Sequence, residues 1–233
     1  MNKKFIRFDF HCHTVRSDGK QDIYKMLKAA KNEGLDFLAV TDHNIGINEI
    51  DFEKAYEKYG VRLIPGFELS LLKGHFLIIG IDPKKTQLKI KEWKLKVDKV
   101  ARRSRKETLI KILKWSKENG ALIIAAHPLI PSGTMSVKKK LLVKLYEQGL
   151  IHGAEIHNDD LKRRLKSKKM YNFWHKRAKK FINKLEIPAY YNSDAHSVGR
   201  LGTSFNIIKI KNSENIIEIL KTERVQIIQG KNK

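Results

Sequence analysis

A chain of 233 residues, 41% of them hydrophobic, can bury a sizeable core, which excludes a disordered reading. Lys and Arg total 48 against 25 Asp and Glu, and the resulting +23 favours an anionic substrate, although lysine-rich composition also occurs in thermophile proteins. No run of 18 apolar residues is present, excluding a helical membrane span, and Cys12 as the single cysteine excludes an intrachain disulfide or a Cys-rich zinc site.

The start Met1-Asn2-Lys3-Lys4 leads into a short strand rather than the long apolar stretch of a signal peptide, so the expected compartment is the cytoplasm. Phe5 to His11 alternates with a β period. Asp22 to Glu33 then has helical spacing at Ile23, Met26, Leu27 and Ala30, closed by Gly34. Leu35 to Thr41 is the continuous apolar run of a buried parallel strand. Asn48 to Tyr59 reads as helix, and Val61 to Leu71 and His75 to Ile81 as strands joined tightly at Lys73-Gly74. A long basic helical stretch is expected from Leu88 to Glu118, ending at Asn119-Gly120. Next come strand Ala121 to Ala126, helix Val137 to Glu147, strand Ala154 to His157, a second basic helix Lys168 to Leu185 and strand Ala189 to Ser193. Strand Ser204 to Ile210, helix Ser213 to Lys221 and strand Val225 to Ile228 complete the chain. Neither a repeat nor a linker interrupts it, so residues 1–233 read as a single domain.

Repeated strand-then-helix order implies a parallel sheet, open or closed into a barrel. Polar residues decide between them. His11/His13, Asp42/His43, Glu68, His127, Glu155/His157 and Asp194/His196 each sit at the C-terminal end of a different predicted strand. A barrel with its site on that face distributes residues this way, whereas an open sheet gathers them at one switch point. His11 and His13, two apart on a strand end, leave by the same face while Cys12 points away, and two converging imidazoles suit zinc, manganese or iron. Asp194-Ala195-His196 repeats the arrangement.

The ordered set His11-x-His13, Ser17-Asp18-Gly19, Thr41-Asp42-His43, Glu68, His75, His127-Pro128 and Ser193-Asp194-Ala195-His196 resembles the PHP (polymerase and histidinol phosphatase) family, over about Phe8 to Gly202. The resemblance implies a distorted seven-stranded β/α (TIM-like) barrel with two or three divalent metals (manganese, zinc or iron) at the C-terminal face of the strands. It implies that His11, His13, Glu68 and Asp194 surround one metal. Glu68 would bridge to a second held by His75 and His127, and Asp18, His43 and His196 would form the third site. The metals would lower the pKa of a bridging water, hold phosphate oxygens and offset charge in an in-line displacement. Asp194, His196 and Arg200 are the residues assigned to catalysis, with the general acid left unassigned. Arg200 and Arg16, each just past a ligand-bearing strand end, are candidates for binding phosphate.

Other residues carry plainer readings. His157 reads as a satisfied structural histidine, although with Glu155 it shares a strand face that could touch the cleft. His152 and His175 have no expected catalytic part. From Lys162 to Lys184 there are eleven Lys or Arg and no acid, with aromatics interleaved. Basic residues with aromatics can contact nucleic acid, yet Trp174, Ala178, Phe181 and Leu185 fit one helical stripe, the pattern of core packing. The resulting expectation is a phosphoesterase acting on a phosphomonoester or phosphodiester, a nucleotide or oligonucleotide end foremost. A histidinol-phosphate-type phosphatase and a non-catalytic nucleic-acid-binding barrel are the alternatives.

Overall fold

The computed structural model describes residues 3–47, 50–93, 106–130, 136–158, 167–211, 215–222 and 226–230. Its first half runs β1 (Lys3–Asp9), α1 (Ile23–Asn32), β2 (Phe37–Val40), α2 (Phe52–Tyr59), β3 (Arg62–Leu71), β4 (Gly74–Ile79), α3 (Pro83–Glu92) and α4 (Lys106–Glu118). The second runs β5 (Leu122–Ala126), α5 (Lys139–Glu147), β6 (Gly153–Asn158), α6 (Lys168–Lys184), β7 (Ala189–Asn192), β8 (Phe205–Lys211), α7 (Ile216–Thr222) and β9 (Ile228–Gly230). Val198–Arg200 forms a short 3-10 turn after β7.

Helix starts follow aspartate caps. Asp22, Asp51 and Asp82 each accept a hydrogen bond from the backbone N–H three residues on, at 2.9–3.0 Å, satisfying a donor that has no partner within the helix. The Asp51 cap is why α2 begins at Phe52 and not at Asn48, which lies outside the described residues. Asp82 followed by Pro83 starts α3 ahead of the expected Leu88, and that helix ends at a Trp93 cap. The long basic stretch is therefore not one helix: α3 stops at Glu92, α4 covers Lys106–Glu118, and residues 94–105 lie outside the described ones. Ser213 and Val225 lie outside them as well, and the last strand sits at Ile228–Gly230, later than expected.

The strands form one nine-stranded sheet in the order β7-β6-β5-β4-β3-β2-β1-β8-β9, not seven strands. Nor is it all parallel. β1, β2 and β3 are parallel neighbours, as are β5, β6 and β7. β4 turns back as the hairpin partner of β3 and pairs antiparallel with β5 also, while β8 and β9 add antiparallel beyond β1. The sheet curls into a nearly closed barrel. Asn206 of β8 accepts from Tyr191 N at 2.8 Å and donates to Asn192 Oδ1 at 2.9 Å, and a Cys12–Ala195 bridge joins the segments that follow β1 and β7.

Period-two alternation divides the buried residues into layers. Leu77, Ile79, Leu122, Ile124 and Ala126 join Phe8, Phe10 and Tyr190 in one apolar cluster, which Ile216, Ile217, Ile219 and Leu220 of α7 complete. The intervening Phe76, Ile78, Ile123 and Ala125 pack instead with Leu109, Ile112 and Leu113 of α4 and Trp174 of α6. Cys12 is fully buried in a third cluster with Met26, Leu27 and Leu38, turned away from its histidine neighbours.

One half-buried histidine, His152, is remote from the polar strand ends. His152 Nδ1 accepts from Ile123 N at 3.0 Å, and burial, reinforced by the Lys221 and Lys117 charges, pushes its pKa down to about 4. The folded chain thus refuses a proton that the unfolded chain binds below about 6.5. Its contribution is full above pH 6.5 and lost as the pH falls towards 4, about 2 kcal/mol after allowing for partial exposure. Urea unfolding at pH 7 and pH 4.5 should show the native protein losing about that much more than His152→Asn, whose amide oxygen can replace Nδ1 as acceptor. Equal losses in the two proteins would contradict this account of His152.

Candidate metal centre

The polar residues at the strand ends come together in one cluster, buried at His11, His13, Glu68, His75 and Asp194, half-buried at His43, His127 and His196, and exposed at Asp18. Six of its members follow directly from parallel strands: His11 and His13 beyond β1, His43 beyond β2, His127 beyond β5, and Asp194 and His196 beyond β7. Glu68 lies within β3, bridged to His43. His75 begins β4 rather than ending it, and it reaches the same face because β4 runs antiparallel, pairing with Ser70 and Ala126. Asp18 arrives on the loop after His13. There Gly19 is required, since a Cβ would lie 2.3 Å from the carbonyl oxygen of His13.

Glu68 is the hub. Its Oε1 lies 2.8 Å from His75 Nδ1, 3.3 Å from His127 Nε2 and 3.6 Å from His11 Nε2. Its Oε2 lies 2.7 Å from His43 Nδ1 and 3.6 Å from His13 Nε2. Asp194 Oδ1 is a second focus, 3.0 Å from His13 Nε2 and 3.2 Å from His11 Nε2. Asp18 Oδ2 stands 3.2 Å from His196 Nε2 and 3.6 Å from His43 Nε2. Four groups have ligand atoms within 4.8 Å of one another: His11/His13/Asp194, His11/Glu68/His127, His43/Glu68/His75 and His13/Asp18/His43/His196. All nine residues expected as ligands are therefore neighbours. Arg16 and Arg200 are not part of the set: Arg16 is half-buried on the loop, and Arg200 is exposed on the 3-10 turn.

Electrostatics within the cluster are extreme. Burial opposes ionisation of Glu68 and Asp194, yet surrounding imidazoles outweigh it and hold both carboxyls well below the usual range. Burial likewise opposes protonation of His11, but Asp194, Glu155 and Glu68 push its pKa well up. For His13 and His75 burial wins, lowering both and leaving the neutral imidazole that a metal binds.

The residues fit divalent cations. Among the described residues, His13 Nδ1, His75 Nε2 and His127 Nδ1 are buried without a hydrogen-bond partner, while His11 Nε2, His13 Nε2, Glu68 Oε2 and Asp194 Oδ1 crowd against one another and His43 without well-aligned hydrogen bonds. Each such atom costs about 1–3 kcal/mol, and their concentration in one place points to cations as the absent partners. Imidazoles mixed with carboxylates suit zinc, manganese or iron.

A surrounding frame fixes the cluster. Asp42 accepts from Thr14 N, Thr14 Oγ1 and Ser17 Oγ at 2.6–2.7 Å, holding the loop that carries Asp18. Asp9 accepts from the backbone and hydroxyl of Ser193, and Asn158 donates to Asp194 Oδ2 at 2.9 Å. His127 and Asp194 both have positive φ, 30° and 52°, strained conformations that this frame maintains.

Glu155 is the residue that strand patterning placed near the cleft without giving it a part. Wholly buried, it accepts from His11 Nδ1 and Asn192 Nδ2 at 2.8 Å each and from His127 N at 2.9 Å. A register irregularity between Glu155 and His157 separates the two, and His157 pairs instead with the Tyr171 hydroxyl at 2.8 Å. A carboxylate behind a ligating imidazole fixes the tautomer and raises ligand basicity. Glu155→Gln should weaken metal affinity roughly 10- to 100-fold in competition with a chromophoric chelator. Unchanged affinity in a folded variant would remove Glu155 from the centre.

Comparison with known proteins bears on the same residues. The PHP domain model matches residues 9–185 and a PHP-associated model matches residues 172–225. An uncharacterized protein of Methanocaldococcus jannaschii is 29% identical over 164 residues, 66% of this chain and 82% of that protein. Two solved structures share the fold. One is a two-domain Bacteroides vulgatus protein containing a predicted PHP-like metal-dependent phosphoesterase, with TM-score 0.65 and 20% identity. The other is Endonuclease Q with a 27-mer duplex substrate bearing an abasic lesion at the active site, with TM-score 0.62 and 19% identity. The matches cover 97% and 94% of this chain but only 65% and 57% of those chains, so this chain spans less than two thirds of either.

Proposed function

The chain belongs to the PHP domain family, and from that premise we propose that it is a metal-dependent phosphoesterase whose substrate is a nucleotide or an oligonucleotide end. One observation carries the reading: nine His, Asp and Glu side chains of the kinds that ligate metals lie together, several of their buried ring nitrogens without a hydrogen-bond partner among the described residues. The +23 charge and the likeness to a fold that handles a nucleic-acid duplex in Endonuclease Q support the substrate class.

His11, His13, Glu68 and Asp194 would hold one cation, Glu68 with His75 and His127 a second, and Asp18, His43 and His196 a third. Bound divalent ions supply Lewis acidity towards phosphoryl oxygens and lower the pKa of a bound water. The chain's own residues do the positioning. Glu155 orients His11 and the His127 backbone, Asn158 orients Asp194, and Asp42 holds the Asp18 loop. Arg16 and Arg200, on the segments that follow His13 and His196 in the chain, would bind the phosphate by paired N–H donors. The chain acts as a single unit, residues 1–233. No helix among the described residues is long and apolar enough to cross a membrane.

The test is a hydrolysis screen of the purified protein with manganese, zinc or iron. Substrates are a generic aryl phosphate, its diester, nucleoside monophosphates, end-labelled oligonucleotides and histidinol phosphate. Release of phosphate or mononucleotide, quenched by chelator, is the expected result. No turnover of any ester with any of the metals would overturn the reading.

A further inference from the structure

Helix α6 is built with two unlike faces. Tyr171, Trp174, Ala178 and Ile182 are buried, and Phe181 and Leu185 of the expected stripe pack half-buried against the same core. The buried side is pinned close to the metal cluster. Trp174 Nε1 donates to Pro128 O at 2.7 Å, one residue from His127, and the Tyr171 hydroxyl meets His157 at the end of β6. The N-terminal half of α6 therefore forms part of the rim around the strand ends.

The outer side carries the unexplained feature. α6 holds seven Lys or Arg and no acid in 17 residues, more basic groups than any other described helix. In their midst Phe173 is 57% exposed, and among the described residues no ring or cation stacks on it. Lys169, Lys176, Arg177 and Lys180 stand four before and three, four and seven after it, all exposed on the surrounding face. Packing gives no reason for an exposed ring that, with the neighbouring exposed Met170, stands among so many cations. A chain of phosphates with accessible bases gives one, because the cations meet the backbone and the ring stacks on a base. A duplex keeps its bases inside, and a membrane would need a far wider apolar face.

We propose that the outer face of α6 is a docking ridge for single-stranded nucleic acid, with Lys169, Lys176, Arg177 and Lys180 on phosphates and Phe173 stacked on a base. Delivery of the strand's end to the metal cluster rests on the phosphoesterase reading; binding to the ridge does not.

Fluorescence anisotropy on the full chain, with a labelled single-stranded 20-mer, the matching duplex and anionic vesicles, tests it. Phe173→Ala should weaken single-strand binding roughly 10-fold and leave duplex binding unchanged. The triple variant Lys176→Gln/Arg177→Gln/Lys180→Gln should weaken it roughly 100-fold at low salt and reduce the salt slope by about two. A control of equal charge change on another helix, Lys25→Gln/Lys28→Gln/Lys31→Gln, should have a much smaller effect. Equal losses in the two triple variants, an indifferent Phe173→Ala, or lost vesicle binding with intact oligonucleotide binding would each overturn the ridge. Aryl phosphate hydrolysis, measured in parallel, should be unchanged in every α6 variant. Absence of all ester hydrolysis from the native protein, across the same screen of substrates and metals, would defeat the phosphoesterase reading while leaving the ridge to stand or fall on anisotropy.

Discussion

Glu68→Gln is expected to reduce aryl phosphate turnover by roughly 10³-fold and to lower the bound metal measured by elemental analysis. The substitution preserves shape and removes one negative charge. That charge faces imidazoles on five different residues at 2.7–3.6 Å, so its loss reaches several ligand groups at once. Two of the four ligand groups contain Glu68, and the variant leaves both with a neutral amide in place of an anionic ligand. A carboxylate shared between neighbouring cations also offsets their mutual repulsion, which an amide cannot do. Native metal content and turnover in the variant would show that Glu68 is not the hub.

Trp174→Ala has the largest expected effect on stability, a loss of about 3–5 kcal/mol read from urea unfolding. The indole is fully buried in the apolar layer between α6 and the barrel, and its N–H holds the carbonyl of Pro128. Truncation leaves a cavity and strands that carbonyl. Trp174→Phe retains most of the volume and should lose only about 1–3 kcal/mol, mainly from the unpaired carbonyl. A loss below 1 kcal/mol for the alanine variant would mean that α6 is not anchored as described.

Much of this architecture was legible in residue order. Period-two and helical spacing located most elements, and the Lys73-Gly74 turn marked the β3–β4 hairpin. Spacing says little about which strand lies beside which. β8 pairs with β1 across nearly the whole chain, Lys3 against Lys211, so its antiparallel direction and the nine-strand count depend on contacts that no local pattern encodes. The early start of α3 had a local signal, Asp82 before Pro83, that helical periodicity alone obscured.

The site divides in the same way. His11-x-His13 and Asp194-x-His196 were readable because alternate residues on an extended segment share a face. The same rule failed at Glu155 and His157, where a register irregularity sends one to His11 and the other to Tyr171. Asp9, Asn158 and Ser193 were invisible as a frame, since their purpose lies in partners up to 184 residues away.

Elemental analysis of the chain, stripped by chelator and then given manganese, zinc or iron, tests the central claim most directly. The nine-residue cluster predicts at least two divalent ions per chain, with aryl phosphate turnover absent after stripping and restored as the ions return. Fewer than two ions per chain after remetallation, or full turnover in the stripped protein, would contradict it.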